Sequence, residues 1–322
     1  MIEAEKATAA PFLRVLARGG ILWAFIGLCV VLTFLSPAFI APSNLMNVMR
    51  QISVNGILAI GMTFVLISGG IDLSVGSIVA LTGVCAAFFA RNGGPFPLIV
   101  PILLAVAVGG LVGLLNGIGI AFGKYPPFIT TLAMMISIRG LAEVLCDGKP
   151  VFGLSQAFDK ISNGYIGGVP NLVYFIVVLF VIGVLVLRKT VFGKWLYATG
   201  GNEESAKLSG VNVSAIKVSV YTISGTLAGL CGLLVASRIA SGNPVVASGY
   251  ELNAIAAAVI GGVSLSGGVG ALTGTIIGAL IIGVIQNGLD ILGVSPFYQQ
   301  IIQGLIIMAA VFIDSRGKLR YT

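Results

Sequence analysis

The chain has 322 residues, of which 57% are hydrophobic and 9% charged, with a formal net charge of +7 and a mean hydropathy of +1.07. So little polar surface cannot cover a soluble globule of this size, and the composition therefore defines a polytopic membrane protein. Histidine is absent, and Cys29, Cys85, Cys146 and Cys231 lack metal-ligand spacing, so zinc chemistry and histidine proton relays lose their usual groups; no metal or cofactor is expected.

Apolar runs long enough to cross about 30 Å of hydrocarbon fall at 20–40, 53–69, 75–91, 98–122, 127–145, 171–187, 217–237, 268–292 and 297–314, with a tenth, short and broken by glycine, at 251–264. The expected fold is all-α: a polytopic membrane helical bundle of about ten transmembrane segments, forming a single domain over 1–322. The first run follows Arg14 and Arg18 and precedes Ser36-Pro-Ala, yet its length and the many later spans favour an uncleaved anchor over a signal peptide. With ten crossings both termini share one side. Arg14, Arg18, Arg188, Lys189, Lys194, Lys207, Lys217, Arg316, Lys318 and Arg320 gather there, against Arg50, Arg91, Lys149, Lys160 and Arg238 opposite, which puts both ends in the cytoplasm. The outer stretches 44–50, 147–170 and 237–251 are rich in Gly, Pro, Asn or Ser and read as loops. They are too small for a substrate-binding domain, which needs at least about 50 residues, so outer capture of substrate falls to a partner.

Two stretches resemble each other, Gly69-Gly-Ile-Asp-Leu-Ser-Val-Gly-Ser-Ile-Val-Ala-Leu-Thr-Gly83 and Gly261-Gly-Val-Ser-Leu-Ser-Gly-Gly-Val-Gly-Ala-Leu-Thr-Gly274, which points to an internal duplication. Gly109, Gly113 and Gly117, and likewise Gly270, Gly274 and Gly278, recur every fourth residue and predict two smooth packing seams. Asp72 and Ser74 interrupt an apolar region. Asp72 is expected to cap the following helix through the Ser74 and Val75 amides, beside a transport path. Arg139 and Glu143, four apart on a helix, are expected to pair. Asn116, Gln286, Asn287, Asp290, Gln299, Gln300 and Gln303 complete the polar residues within spans; Asp72, Ser74, Asn116, Asn287 and Gln300 stand as candidates to line the path, with interhelical hydrogen bonding as the alternative.

The charged cytoplasmic stretch 188–217 holds Asn202-Glu-Glu-Ser-Ala-Lys-Leu-Ser-Gly210, a short helix with both ends marked. Asn202 caps it, Glu203 and Glu204 suit its dipole-positive end, and Gly210 supplies a left-handed exit. About two turns are marginal alone in water, so the segment needs a surface to lie against and reads as a handle for a soluble partner. No phosphate-binding Gly-x-x-x-x-Gly-Lys-Ser/Thr loop occurs, and no catalytic triad can be assembled, so neither ATP hydrolysis nor other catalysis is expected of this chain.

Three motifs carry a resemblance: Gly69-Gly-Ile-Asp-Leu-Ser-Val-Gly-Ser77, Gly200-Gly-Asn-Glu-Glu-Ser-Ala-Lys-Leu-Ser-Gly-Val-Asn212, and Gly249-Tyr-Glu-Leu-Asn-Ala-Ile-Ala-Ala257 with 261–268. From about residue 20 to 314 the chain resembles the membrane permeases of bacterial ribose-type sugar ATP-binding-cassette importers. The resemblance implies a homodimer in the inner membrane, bound to cytoplasmic ATP-binding subunits and a periplasmic sugar-binding protein, with no nucleic-acid partner. It also implies that Asn202, Glu203, Glu204, Ala206 and Gly210 couple the chain to the ATPase; Ser205 replaces the middle alanine of the family's Glu-Ala-Ala-x-x-x-Gly pattern. An ion-coupled secondary transporter of a small polar solute, using Asp72, Glu143 or Asp290, is the alternative, and a membrane scaffold a third.

Overall fold

The computed structural model describes residues 20–318. The apolar runs become α1 (Gly20–Leu35), α2 (Pro42–Ile67), α3 (Val75–Phe89), α4 (Ile99–Ala121) and α5 (Pro127–Leu145). After these come α6 (Gln156–Asn163), α7 (Asn171–Lys189), α8 (Val191–Gly201), α9 (Glu203–Leu208) and α10 (Val213–Arg238). The chain continues through α11 (Tyr250–Ile260), α12 (Leu272–Ile291) and α13 (Pro296–Lys318). A 3-10 turn, Pro37–Ile40, links α1 to α2, and a hairpin of β1 (Tyr165–Ile166) on β2 (Val169–Pro170) links α6 to α7. Pro42 and Pro127 open their helices in the first turn, where a missing N–H costs nothing.

The centre is α2, buried on every face from Ile52 to Ile67, wrapped by α7, α10, α11 and α12. A helix apolar all round belongs in the interior of such a bundle. Six helices, α2, α4, α5, α7, α10 and α12, are long and apolar enough to cross a membrane among the described residues. The expected count of about ten is not reached on this criterion. For three of the others the reason is length: α1, α3 and α11 are apolar but have 16, 15 and 11 residues, or about 24, 22 and 16 Å. The termini that carry Arg14, Arg18 and Arg320 lie outside the described residues.

Two further expectations change. Residues 44–50, read as a loop, form the first turns of α2. Polar residues hide this helix, and three of them meet partners on other elements: Asn44 with Asn287, Arg50 with Tyr165 and Gln51 with Gln286. The stretch 147–170 is likewise not all loop, for α6 starts at a Ser155 cap on the Phe158 amide (3.3 Å) and is sewn to α10 by Ser162 Oγ on the Leu234 carbonyl (2.7 Å).

The first glycine seam forms as expected. A methyl at Gly109 would fall on Gly225 and Gly229, at Gly113 on the Tyr221 carbonyl and Gly225, and at Gly117 on Val218, so α4 and α10 pack backbone to backbone. The second holds for Gly274 against Gly261 and Gly278 against Ala257; Gly270 lies in the turn before α12 and packs on Val263. The two similar stretches end their helices alike. Gly69 (φ +80°) is followed by a Gly70 N–H bond to the Val65 carbonyl (3.1 Å), and Gly262 (φ +87°) by a Val263 N–H bond to the Ala258 carbonyl (3.0 Å). Each is a left-handed glycine exit, and it aligns Gly69 with Gly262 rather than with Gly261.

Candidate coupling and translocation sites

At one end of the bundle α9 projects as a capped spur. Asn202 Oδ1 accepts the Ser205 amide at 2.8 Å, and Gly210 (φ +85°) closes the helix with the Val211 amide on the Ala206 carbonyl at 3.0 Å. Ala206 is buried, whereas Glu203, Glu204 and Lys207 are exposed and Leu208 is 85% exposed. Glu203 reaches Lys217 of α10 at 2.7 Å, an exposed pair worth about 0–1 kcal/mol. The spur is therefore held by one buried methyl, one cap and one weak ion pair, with its remaining side chains free for contact.

At the root of the spur three glycine pairs meet. The Gly268 amide donates to the Ile67 carbonyl at 2.9 Å, a methyl at Gly200 would fall on both groups, and Gly267 (φ +84°) lies against Gly69 and the Gly200 carbonyl. Gly69, Gly200, Gly201, Gly267 and Gly268 thus abut without side chains between them, where α8 gives way to α9. Each pair was visible in the sequence; their meeting was not, because nothing in a linear pattern pairs distant glycines. Beside the spur, Glu203, Lys207 and Lys217 share a cavity of about 520 Å³ with Lys124 and the α4–α5 turn.

Asp72 sits in the extended stretch between α2 and α3 and is fully buried, as are Ser74 and Asn116. Its Oδ1 accepts the Ser74 amide (3.0 Å) and the Ser74 hydroxyl (2.6 Å), and its Oδ2 accepts the Ser224 hydroxyl of α10 (2.9 Å). Asn116 Nδ2 of α4 donates to Ser74 Oγ at 2.9 Å, and Thr131 and Tyr221 hydroxyls donate to the Ile71 carbonyl at 3.3 Å each. The Ser74 half of the expected cap is present, while Ser74 and Ser224 hydroxyls stand in place of the Val75 amide. The knot ties the irregular stretch to α4, α5 and α10.

The other path candidates lie elsewhere. Ile67 borders the spur, and Asn44 is 23 residues earlier on α2, about 34 Å away. There Asn44 and Asn287 bond reciprocally at 3.0 and 2.8 Å, and Gln286 Oε1 accepts from Gln51 and Asn55 at 3.2 Å each. Gln303 Nε2 donates to Asn253 Oδ1 at 2.7 Å. Asn253, Gln286, Gln299, Gln300 and Gln303 line a cavity of about 200 Å³ between α11, α12 and α13, with isoleucine and leucine as its apolar wall. Its lining carries no charged residue. Asn253, Gln51 and Asn55 were missed in the sequence, since a lone amide in an apolar run gives no sign of which helix it faces.

Arg139 does not pair with Glu143. Among the described residues the ion pair within 4.0 Å is Lys217–Glu203, and Glu143 is exposed. Arg139 Nη1 donates to the Pro244 and Val246 carbonyls at 2.6 and 2.8 Å. Carbonyls of the α10–α11 loop outcompete the carboxylate one turn away.

A buried helical bundle with an exposed, capped spur has the form of a membrane transport component. Residues 44–311 match the family model described as branched-chain amino acid transport system / permease component, and the chain belongs to that family. It is a transport subunit and not an enzyme. It is similar to the ribose import permease protein RbsC of Bacillus subtilis (strain 168), 44% identical over 90% of each chain, and to that of Escherichia coli (strain K12), 43% identical over 91% of this chain and 92% of the relative. The L-arabinose ABC transporter permease protein AraH of Azospirillum brasilense is 38% identical over 94% of this chain and 88% of its own length. No solved structure matches the chain.

Proposed function

We propose that the chain is the membrane-spanning permease of an ATP-binding-cassette importer that carries a ribose-like monosaccharide from a periplasmic binding protein into the cytoplasm. The observation that carries this reading is the uncharged amide cavity between α11, α12 and α13. Carboxamides both donate and accept, as sugar hydroxyls do. An amino acid, the solute in the family's description, would bring a carboxylate and an ammonium into a lining with no countercharge, and burying unpaired charge is strongly unfavourable. The names of the ribose, arabinose and xylose relatives agree with a sugar.

In this reading the single domain, 1–322, crosses the bilayer ten times, α1, α3, α11 and α13 joining the six long helices. Both termini face the cytoplasm of a bacterial inner membrane, on the side of the coupling segment 188–217. Asn202, Glu203, Glu204, Ala206 and Gly210 form the contact for a separate ATP-binding subunit, and closure of the paired ATPases moves α9. The glycine junction passes that motion to α12, which lines the cavity, and to α2, whose Gln51 and Asn55 hold the lining residue Gln286. Gln300 lines the path, Asn287 braces it through Asn44, and Asp72, Ser74 and Asn116 hold the backbone beside it. Exposed apolar residues on α5 and α13, such as Ile129, Ile136, Ile301 and Leu305, supply faces for lipid and for a second copy of the chain.

The test is solute competition in vesicles holding the permease, its ATP-binding subunit and a candidate binding protein. ATP-dependent uptake of a pentose, unaffected by excess leucine and reduced severalfold by Gln286→Leu or Gln303→Leu, is expected. Uptake of leucine in place of pentoses would overturn the assignment.

A further inference from the structure

The α10–α11 loop, 240–249, dips into the bundle at the end opposite the spur and is held in an unrelaxed conformation. Ala240 (φ +53°) and Ala247 (φ +60°) occupy the left-handed region that disfavours a residue with a Cβ. Two straps hold the loop down. One is the reciprocal backbone pair of Val151 and Gly242, at 2.8 and 2.9 Å; the other is Arg139, whose Nη1 takes the Pro244 and Val246 carbonyls.

One residue beyond the start of α11, Glu251 is left half-served. Its Oε1 accepts the Gly249 amide at 3.2 Å, but its Oε2 is buried without a hydrogen-bond partner. That oxygen lies beside Gly76 of α3, where a methyl would displace it and the Ala247 carbonyl. A buried carboxyl oxygen with no partner is unfavourable, and an arginine is at hand on the same loop: Glu251 Oε2 shares the space beside Gly76 with the Ala247 carbonyl, one residue from the Val246 carbonyl that Arg139 holds. The structure thus has one guanidinium seated on the loop carbonyls and, beside the same loop, a carboxyl oxygen left without a partner.

We infer that Arg139 is a clasp on the α10–α11 loop and Glu251 its second seat: during transport the guanidinium leaves the Pro244 and Val246 carbonyls for the Glu251 carboxyl, and loop 240–249 is released. In the clasped state the strain at Ala240 and Ala247 is retained; in the other it relaxes while Glu251 gains its partner. Both Arg139 and Glu251 are positioning residues, acting on the loop and not on solute. The clasp rests on the importer reading for its role in turnover but not for its energetics.

Glu251→Gln separates the clasp from a plain structural role. The amide keeps the Gly249 contact and removes the second seat, so the purified variant is expected to melt at or above the temperature of the parent, while ATP-driven pentose uptake in the reconstituted complex falls at least tenfold. A fluorophore on Asn243→Cys is expected to change emission during turnover in the parent background and to stay unchanged with Glu251→Gln. Arg139→Gln, which frees the loop, is expected to melt lower than the parent. A Glu251→Gln protein that melts below the parent, or that transports at the parental rate, overturns the clasp. Failure of the importer reading would instead show as absence of uptake by the parent itself, and the melting comparison of the two variants would still decide the clasp.

Discussion

Asp72 illustrates what a single residue discloses. A carboxylate between glycines in an apolar run announced itself in the sequence, and so did its capping of Ser74. Ser224, which closes the knot from 152 residues away, did not, because one serine in a helix of small residues has no distinguishing pattern. Removing the Ser224 hydroxyl leaves Asp72 Oδ2 buried without that donor, and Ser224→Ala is expected to cost about 1.5–3 kcal/mol, read as a lower melting temperature of the purified protein. An unchanged melting temperature would mean that the hydroxyl contributes nothing. Arg139 teaches the reverse lesson. Spacing of four residues permits a pair with Glu143, but it carries no information about competing acceptors on a loop 105 and 107 residues further on.

At the scale of elements, α5 was legible to both ends because Pro127 starts it and the Asp147-Gly148 turn follows it, whereas the first turns of α2 were hidden by their own amides. Hydropathy counts Asn44 and Gln51 as exposed, yet these groups are satisfied across the bundle by Asn287 and Gln286. The α4–α10 seam was half visible, with Gly109, Gly113 and Gly117 recognised and Gly225 and Gly229 overlooked. Gly113→Leu would drive a side chain into the Tyr221 backbone, and overpacking of this kind costs about 1–3 kcal/mol or more; loss of folded, monodisperse protein is expected, and normal yield and melting would show the seam to be pliable. The spur behaves differently, since its outward side chains carry no packing. Glu204→Lys places a cation at the dipole-positive end of α9 and is expected to leave membrane insertion intact while abolishing ATP-driven uptake. Normal uptake by that variant would remove the case for α9 as the coupling contact.

For the whole molecule, composition and periodicity sufficed for a helical membrane bundle, and the absence of a phosphate loop sufficed to look outside the chain for its energy source. What they could not supply was connection. The glycines 69, 200–201 and 267–268 form one junction only in three dimensions, and on the proposed reading that junction links the exposed spur to α12, one of the helices that line the amide cavity. On the importer reading this polypeptide gates a path but is driven by another protein. The most direct test of that claim is accumulation of labelled pentose in sealed vesicles, with and without the ATP-binding subunit, in the presence of binding protein and ATP. Accumulation is expected with the ATP-binding subunit and not without it, whatever ion gradient is imposed. Concentrative uptake by vesicles containing the permease alone, driven by a proton or sodium gradient, would contradict the claim and favour an ion-coupled transporter.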